Sequence, residues 1–86
     1  MVSKEIVVSC ETGLHNRQAT YFVQQANKFE CSIWLEAGSR RMNAKSLLGI
    51  LSLGITPGTS VILTADGKNA AEAVAALEAV LLRSAD

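Results

Sequence analysis

Two periodicities alternate along this chain, and their order leaves few folds open. Residues 5–9 are β-branched and alternate, with Ile6, Val8 and Cys10 on one face, as in a half-buried strand. Thr12 and Gly13 break that run. Over residues 16–28 the apolar positions Ala19, Phe22, Val23 and Ala26 recur at helical spacing, and Arg17, Thr20, Gln24, Asn27 and Lys28 make the opposite face polar. Phe29 is expected to pack just beyond that helix. Alternation returns over residues 32–36, with Ile33 and Leu35 on one side and Trp34 on the other. Ala37-Gly38-Ser39 has the composition of a hairpin turn. Residues 40–43 form a short third strand whose Arg40 and Arg41 mark an exposed edge.

The second half continues the pattern. Ser46 suits the N-cap of a short helix that Gly54 ends. That helix is apolar nearly all round. Either it is simply buried, or one side packs and the other is an exposed patch for a partner. Pro57-Gly58 turns the chain into a fourth strand over residues 60–65, with Val61, Leu63 and Ala65 toward the core. Asp66-Gly67 turns it again. Asn69 followed by Glu72 has the spacing of a capping box, opening a last helix over about residues 70–83. Its apolar stripe is Ala73, Val74, Leu77, Val80 and Leu81. The order β-α-β-β-α-β-α fills 86 residues without linker or repeat, which predicts one α+β domain. Its two layers would place helices over one sheet face and leave Val7, Trp34 and Ile62 on the other.

Composition narrows the function. Eight basic residues balance eight acidic ones and aromatics are few, which argues against nucleic acid or a membrane surface as the main partner. Ser3, Lys4 and Glu5 interrupt any signal-like run, and the longest apolar stretch is too short to span a bilayer. A cytoplasmic protein without membrane insertion is therefore expected. Cys10 and Cys31 belong to no CxxC or Cys/His cluster. A single disulfide stays open, and two half-buried thiols in a reducing compartment are the favoured reading. One histidine without a ligand cluster supports no metal site, and no cofactor is expected.

Chemistry concentrates in Gly13-Leu14-His15-Asn16-Arg17-Gln18-Ala19, which holds the only histidine at the junction of strand and helix. Neutral imidazole is a nucleophile near neutral pH. At a helix start, unpaired N–H groups can donate to phosphoryl oxygens, and the helix dipole favours added negative charge by about 0.3–1 kcal/mol. Arg17 can offer paired donors to the same oxygens. Alone, His15 would read as a surface or capping histidine and Arg17 as a solvated charge. Together they point to phosphoryl handling.

This stretch, with Phe22, Val23 and Ala26, is one of two blocks by which the chain resembles HPr, the histidine-containing phosphocarrier family of the bacterial sugar phosphotransferase system, together with its regulatory relatives. The other is Asn43-Ala44-Lys45-Ser46-Leu47-Leu48-Gly49-Ile50-Leu51-Ser52-Leu53-Gly54, and Pro57-Gly58 and the alanine-rich last helix also fit. The resemblance spans nearly the whole chain. It implies an open-faced β-sandwich, an antiparallel sheet in order 1-4-2-3 with three helices on one face. It makes His15 the acceptor of a phosphoryl group from enzyme I, passed on to sugar-specific IIA proteins, with Arg17 stabilising the phosphate. It makes Ser46 the serine phosphorylated by HPr kinase/phosphorylase in the control of carbon metabolism, with a LacI-type catabolite regulator as a further partner. The implied role is a carrier, covalently modified and regenerated, not a turnover enzyme.

The family usually has Ala after the histidine and Pro after the arginine, where this chain has Asn16 and Gln18. Gln18 restores a backbone N–H that proline lacks. The regulatory paralogue, catabolite repression HPr, lacks the histidine that this chain keeps. The expected docking surface joins His15, Arg17 and Thr20 to the second helix. Leu47, Leu48 and Leu51 would form its apolar centre, with Lys45 and Arg17 at its charged rim. For Leu47 and Leu51, core and interface readings compete evenly.

Overall fold

The computed structural model describes residues 1–10, 13–14 and 16–83. The elements follow as β1 (Val2–Val7), α1 (Asn16–Ala26), β2 (Ser32–Ala37), β3 (Arg40–Asn43), α2 (Leu47–Ser52), β4 (Ser60–Asp66) and α3 (Ala70–Leu81). The strands form one sheet in the order β1-β4-β2-β3, every neighbouring pair antiparallel. Alternation puts Ile6, Ile33, Leu35, Val61, Leu63 and Ala65 on the face that the helices cover, where Phe22, Ile50 and Leu77 meet them in one buried core. On the open face Val7 and Ile62 are exposed. Trp34 is half-buried there, with the Arg41 guanidinium 4.5 Å from its ring centroid.

Strand β1 runs earlier than residues 5–9. Its polar residues pair across the ladder or to a helix: Ser3 and Thr64 hydroxyls share a hydrogen bond at 3.0 Å, Lys4 Nζ lies 2.8 Å from Glu78 Oε2, and Ser60 Oγ donates to Glu5 Oε2 at 2.8 Å. Past Val7 the chain leaves the sheet. The amides of Ser9 and Cys10 both donate to Leu81 O at 2.9 Å. The alternation of Ile6, Val8 and Cys10 therefore reports burial correctly but not strand extent. Helix α3 ends at Leu81, two residues before the expected limit, and its last carbonyl accepts those two amides.

Helix α3 does not open with a capping box. Asn69 adopts a left-handed backbone (φ 60°) with no side-chain cap bond. N-cap side chains meet first-turn amides from the β region, and the preceding Gly67 turn (φ 123°) delivers the chain in another geometry. Helix α1 closes at Ala26, where Lys28 and Phe29 amides bond three residues back, to Gln25 O and Ala26 O. Phe29 packs partly buried against the core, as expected. Both cysteines are free thiols and more deeply buried than half, so no disulfide joins them. Burial pushes the Cys10 thiol pKa up, with backbone hydrogen bonds at Cys10 and Gly13 opposing part of the shift.

Candidate functional site

His15 lies outside the described residues. Its neighbours in the chain form the approach to helix α1. Gly13 takes φ 65°, and a Cβ there would strike Ile55 O and come within 2.8 Å of Thr56 Cα, so only glycine fits. Gly13 N–H donates to Cys10 O at 3.0 Å and Leu14 N–H to Ile55 O at 3.0 Å, with the Leu14 side chain fully buried. Helix α1 then begins at Asn16. Arg17 is exposed in its first turn and takes part in none of the ion pairs among the described residues. Thr20 is exposed one turn from Asn16. Gln18 is partly buried, and its Oε1 has no hydrogen-bond partner among the described residues.

The second block forms a turn and a short helix. Asn43 Oδ1 accepts from Lys45 N–H at 2.9 Å, and Ser46 N–H donates to Asn43 O at 3.0 Å. Ser46 is extended (φ −102°, ψ 113°) and its Oγ accepts from Gly49 N–H at 3.1 Å, the N-cap that its position predicts. Gly54 (φ 60°) follows the C-cap Leu53. Of α2's own residues only Ile50 is buried. Leu47, Leu48 and Leu51 are exposed at 39%, 81% and 37%. The helix is therefore not simply buried: one side packs through Ile50 and the other lies at the surface. Gly49 is half-buried, and a Cβ there would sit 3.2 Å from Ser46 Oγ, so glycine leaves room for the cap.

Cross-links orient the two helices. Asn27 Nδ2 donates to Lys45 O at 3.3 Å and Lys45 Nζ to Phe29 O at 2.6 Å, so the end of α1 meets the start of α2. The Leu14–Ile55 bond joins the start of α1 to the segment after α2. The helices therefore run antiparallel. Ser46 therefore lies beside the end of α1, and Arg17 in the first turn of α1 lies toward the other end of the pair. Leu51 lies at the Arg17 end of that pair. Lys45 is half-buried and ties the end of α1 to the start of α2 with at least one of its three N–H donors, so it serves as an anchor.

Three side chains make contacts that local sequence pattern does not report. Arg40, taken as an edge marker, reaches the end of α2, where Nη1 donates to Ser52 O at 2.6 Å. Twelve positions separate the pair, and local pattern does not span that distance. Tyr21 and Arg83 meet across α1 and α3, the guanidinium 5.2 Å from the ring centroid, beside a groove that Gln25 and Ala79 also line. No helix of the described residues is long and apolar enough to cross a membrane.

The chain matches known proteins over nearly its whole length. A family model described as the PTS HPr component phosphorylation site matches residues 2–82. The chain is 41% identical over 81 residues to the HPr-like protein Crh of Halalkalibacterium halodurans, covering 94% of this chain and 96% of that protein. It is 42% identical over 79 residues to the HPr-like protein Crh of Bacillus subtilis, covering 92% and 93%. The crystal structure of a phosphocarrier protein HPr from Bacillus anthracis matches with a TM-score of 0.91 at 42% identity, over 93% of this chain and 95% of that one.

Proposed function

This chain belongs to the HPr family, and we propose that within it the chain is a phosphoryl carrier, charged on His15 by enzyme I and discharged to sugar-specific IIA proteins. The observation that carries the reading is the start of α1 at Asn16, directly after the only histidine, with Arg17 exposed in the same turn. The first amides of α1 have no intrahelical acceptor. In transfer, a nitrogen of the neutral ring attacks phosphorus. The new N–P bond forms at the unprotonated nitrogen as the donor's bond to phosphorus breaks, and the ring's single N–H proton, on the other nitrogen, passes to an acceptor or stays hydrogen-bonded to one. The helix start and the Arg17 guanidinium favour the charge that arrives. Discharge reverses these steps on the next protein, so the chain is regenerated and does not itself turn over a substrate.

Incubation with phosphoenolpyruvate and a competent enzyme I should add one acid-labile phosphoryl group, and His15→Ala should abolish the gain. Absence of any gain contradicts the reading.

A second, compatible role is regulatory. It is supported by Ser46, whose Oγ caps a helix that exposes three leucines, and by the similarity to proteins named Crh. Phosphate on Ser46 would add charge at a helix N-terminus, a tolerated place, so its effect would fall on partners and not on the fold. ATP-dependent phosphorylation by HPr kinase/phosphorylase should then tighten binding to a LacI-type catabolite regulator. Equal regulator affinity before and after verified Ser46 phosphorylation counts against this role.

A further inference from the structure

Helix α2 has six residues and exposes three leucines while burying only Ile50. A helix this short does not persist in water unaided. Its C-terminal turn is held from another element. Arg40 on β3 donates from Nη1 to Ser52 O at 2.6 Å and from Nη2 to Ser52 Oγ at 3.2 Å, and Ser52 Oγ donates to Gly49 O at 2.7 Å. The same Gly49 gives its N–H to Ser46 Oγ at the opposite end. One run of hydrogen bonds thus joins Arg40, Ser52, Gly49 and Ser46 along the whole helix. A cation at a helix C-terminus also meets the favourable end of the dipole. Arg40 takes part in none of the ion pairs among the described residues, so this contact is where its charge is directed.

We propose that Arg40 is a positioning residue for the docking face: it fixes the last turn of α2, and through it the orientation of Leu47, Leu48 and Leu51 toward a partner protein. It does so without touching the transferred phosphoryl group. The link to docking rests on the carrier reading above; the hold on α2 rests on the geometry alone.

The test uses the full chain with Arg40→Gln, Ser52→Ala and the double variant, read by amide hydrogen exchange and by transfer kinetics with enzyme I. Arg40→Gln should speed exchange at Ile50, Leu51 and Leu53 about 10-fold, the loss of a charge-assisted hydrogen bond, while β2 and β4 stay unchanged. It should raise KM for the chain about 5-fold with kcat within about twofold, because only the docking pose is loosened. Ser52→Ala keeps the Arg40 charge and should move both readings the same way by less. The double variant should fall short of the sum of the two single effects, since both remove the Arg40 Nη2–Ser52 Oγ bond. Unchanged exchange in α2 overturns the positioning role. Faster exchange with an unchanged KM overturns its link to docking. A raised KM in Arg40→Gln with Ser52→Ala silent makes Arg40 a direct charge contact and also overturns it. If the unaltered chain accepts no phosphoryl group, the carrier reading fails by itself, and the exchange comparison still decides whether Arg40 fixes α2.

Discussion

Helices α2 and α3 pack on the same sheet by opposite means. Helix α3 buries Ala70, Ala73, Val74, Leu77, Val80 and Leu81, and its cap contributes no side-chain bond at all. Helix α2 buries Ile50 alone and is held at its ends, by Ser46 at the start and Arg40 with Ser52 at the finish. Burial consumes a helix's apolar side chains, whereas end-holding leaves them free. Helix α3 thus puts its apolar side chains into the core, and α2 leaves three leucines at the surface. Three clustered exposed leucines would be a liability in a helix with no partner.

Substitutions at matched positions should separate the two. Leu77→Ala removes a fully buried side chain and should cost about 2–5 kcal/mol in denaturant unfolding. Ile50→Ala, the corresponding anchor of α2, should fall toward the lower end of that range, because the cavity opens beside a short helix able to relax. Ser46→Ala should cost about 1 kcal/mol through the lost cap, while Ser46→Asp, which can still cap, should cost only a few tenths. Leu48→Ala should stay within about 0.5 kcal/mol. If it instead matches Leu77→Ala, the contrast between the helices collapses. Similarly small, Lys4→Met should change stability by no more than about 0.5 kcal/mol, an effect that fades in high salt because the pair with Glu78 is partly exposed.

The contrast also explains which parts of the molecule were legible in sequence. The stripe of α3 and the alternation of β2 and β4 declare themselves, because burial repeats with the period of the element. The N-cap at Ser46 and the left-handed Gly54 are local chemistry and were equally readable. Three features were not. The end of β1 is set by Leu81 O, far along the chain, and no local pattern reports it. The failed capping box at Asn69 depends on the left-handed backbone that the turn before it imposes. The hold of Arg40 on Ser52 is a side-chain reach between elements, so the residue looked like any exposed edge cation. At the candidate site, the glycine requirement at position 13 follows from close approach to residues 55 and 56, and the sequence could say only that a break falls there. His15 itself was singled out by motif chemistry, and it lies outside the described residues.

The central claim is that the exposed face of α2 serves a partner and not the fold. The most direct measurement is the initial rate of phosphoryl transfer from enzyme I to Leu48→Glu at limiting chain concentration. The account predicts a rate about 10-fold lower than that of the unaltered chain, as expected when a charge enters an apolar contact, with the folded fraction unchanged. An undiminished rate would contradict it.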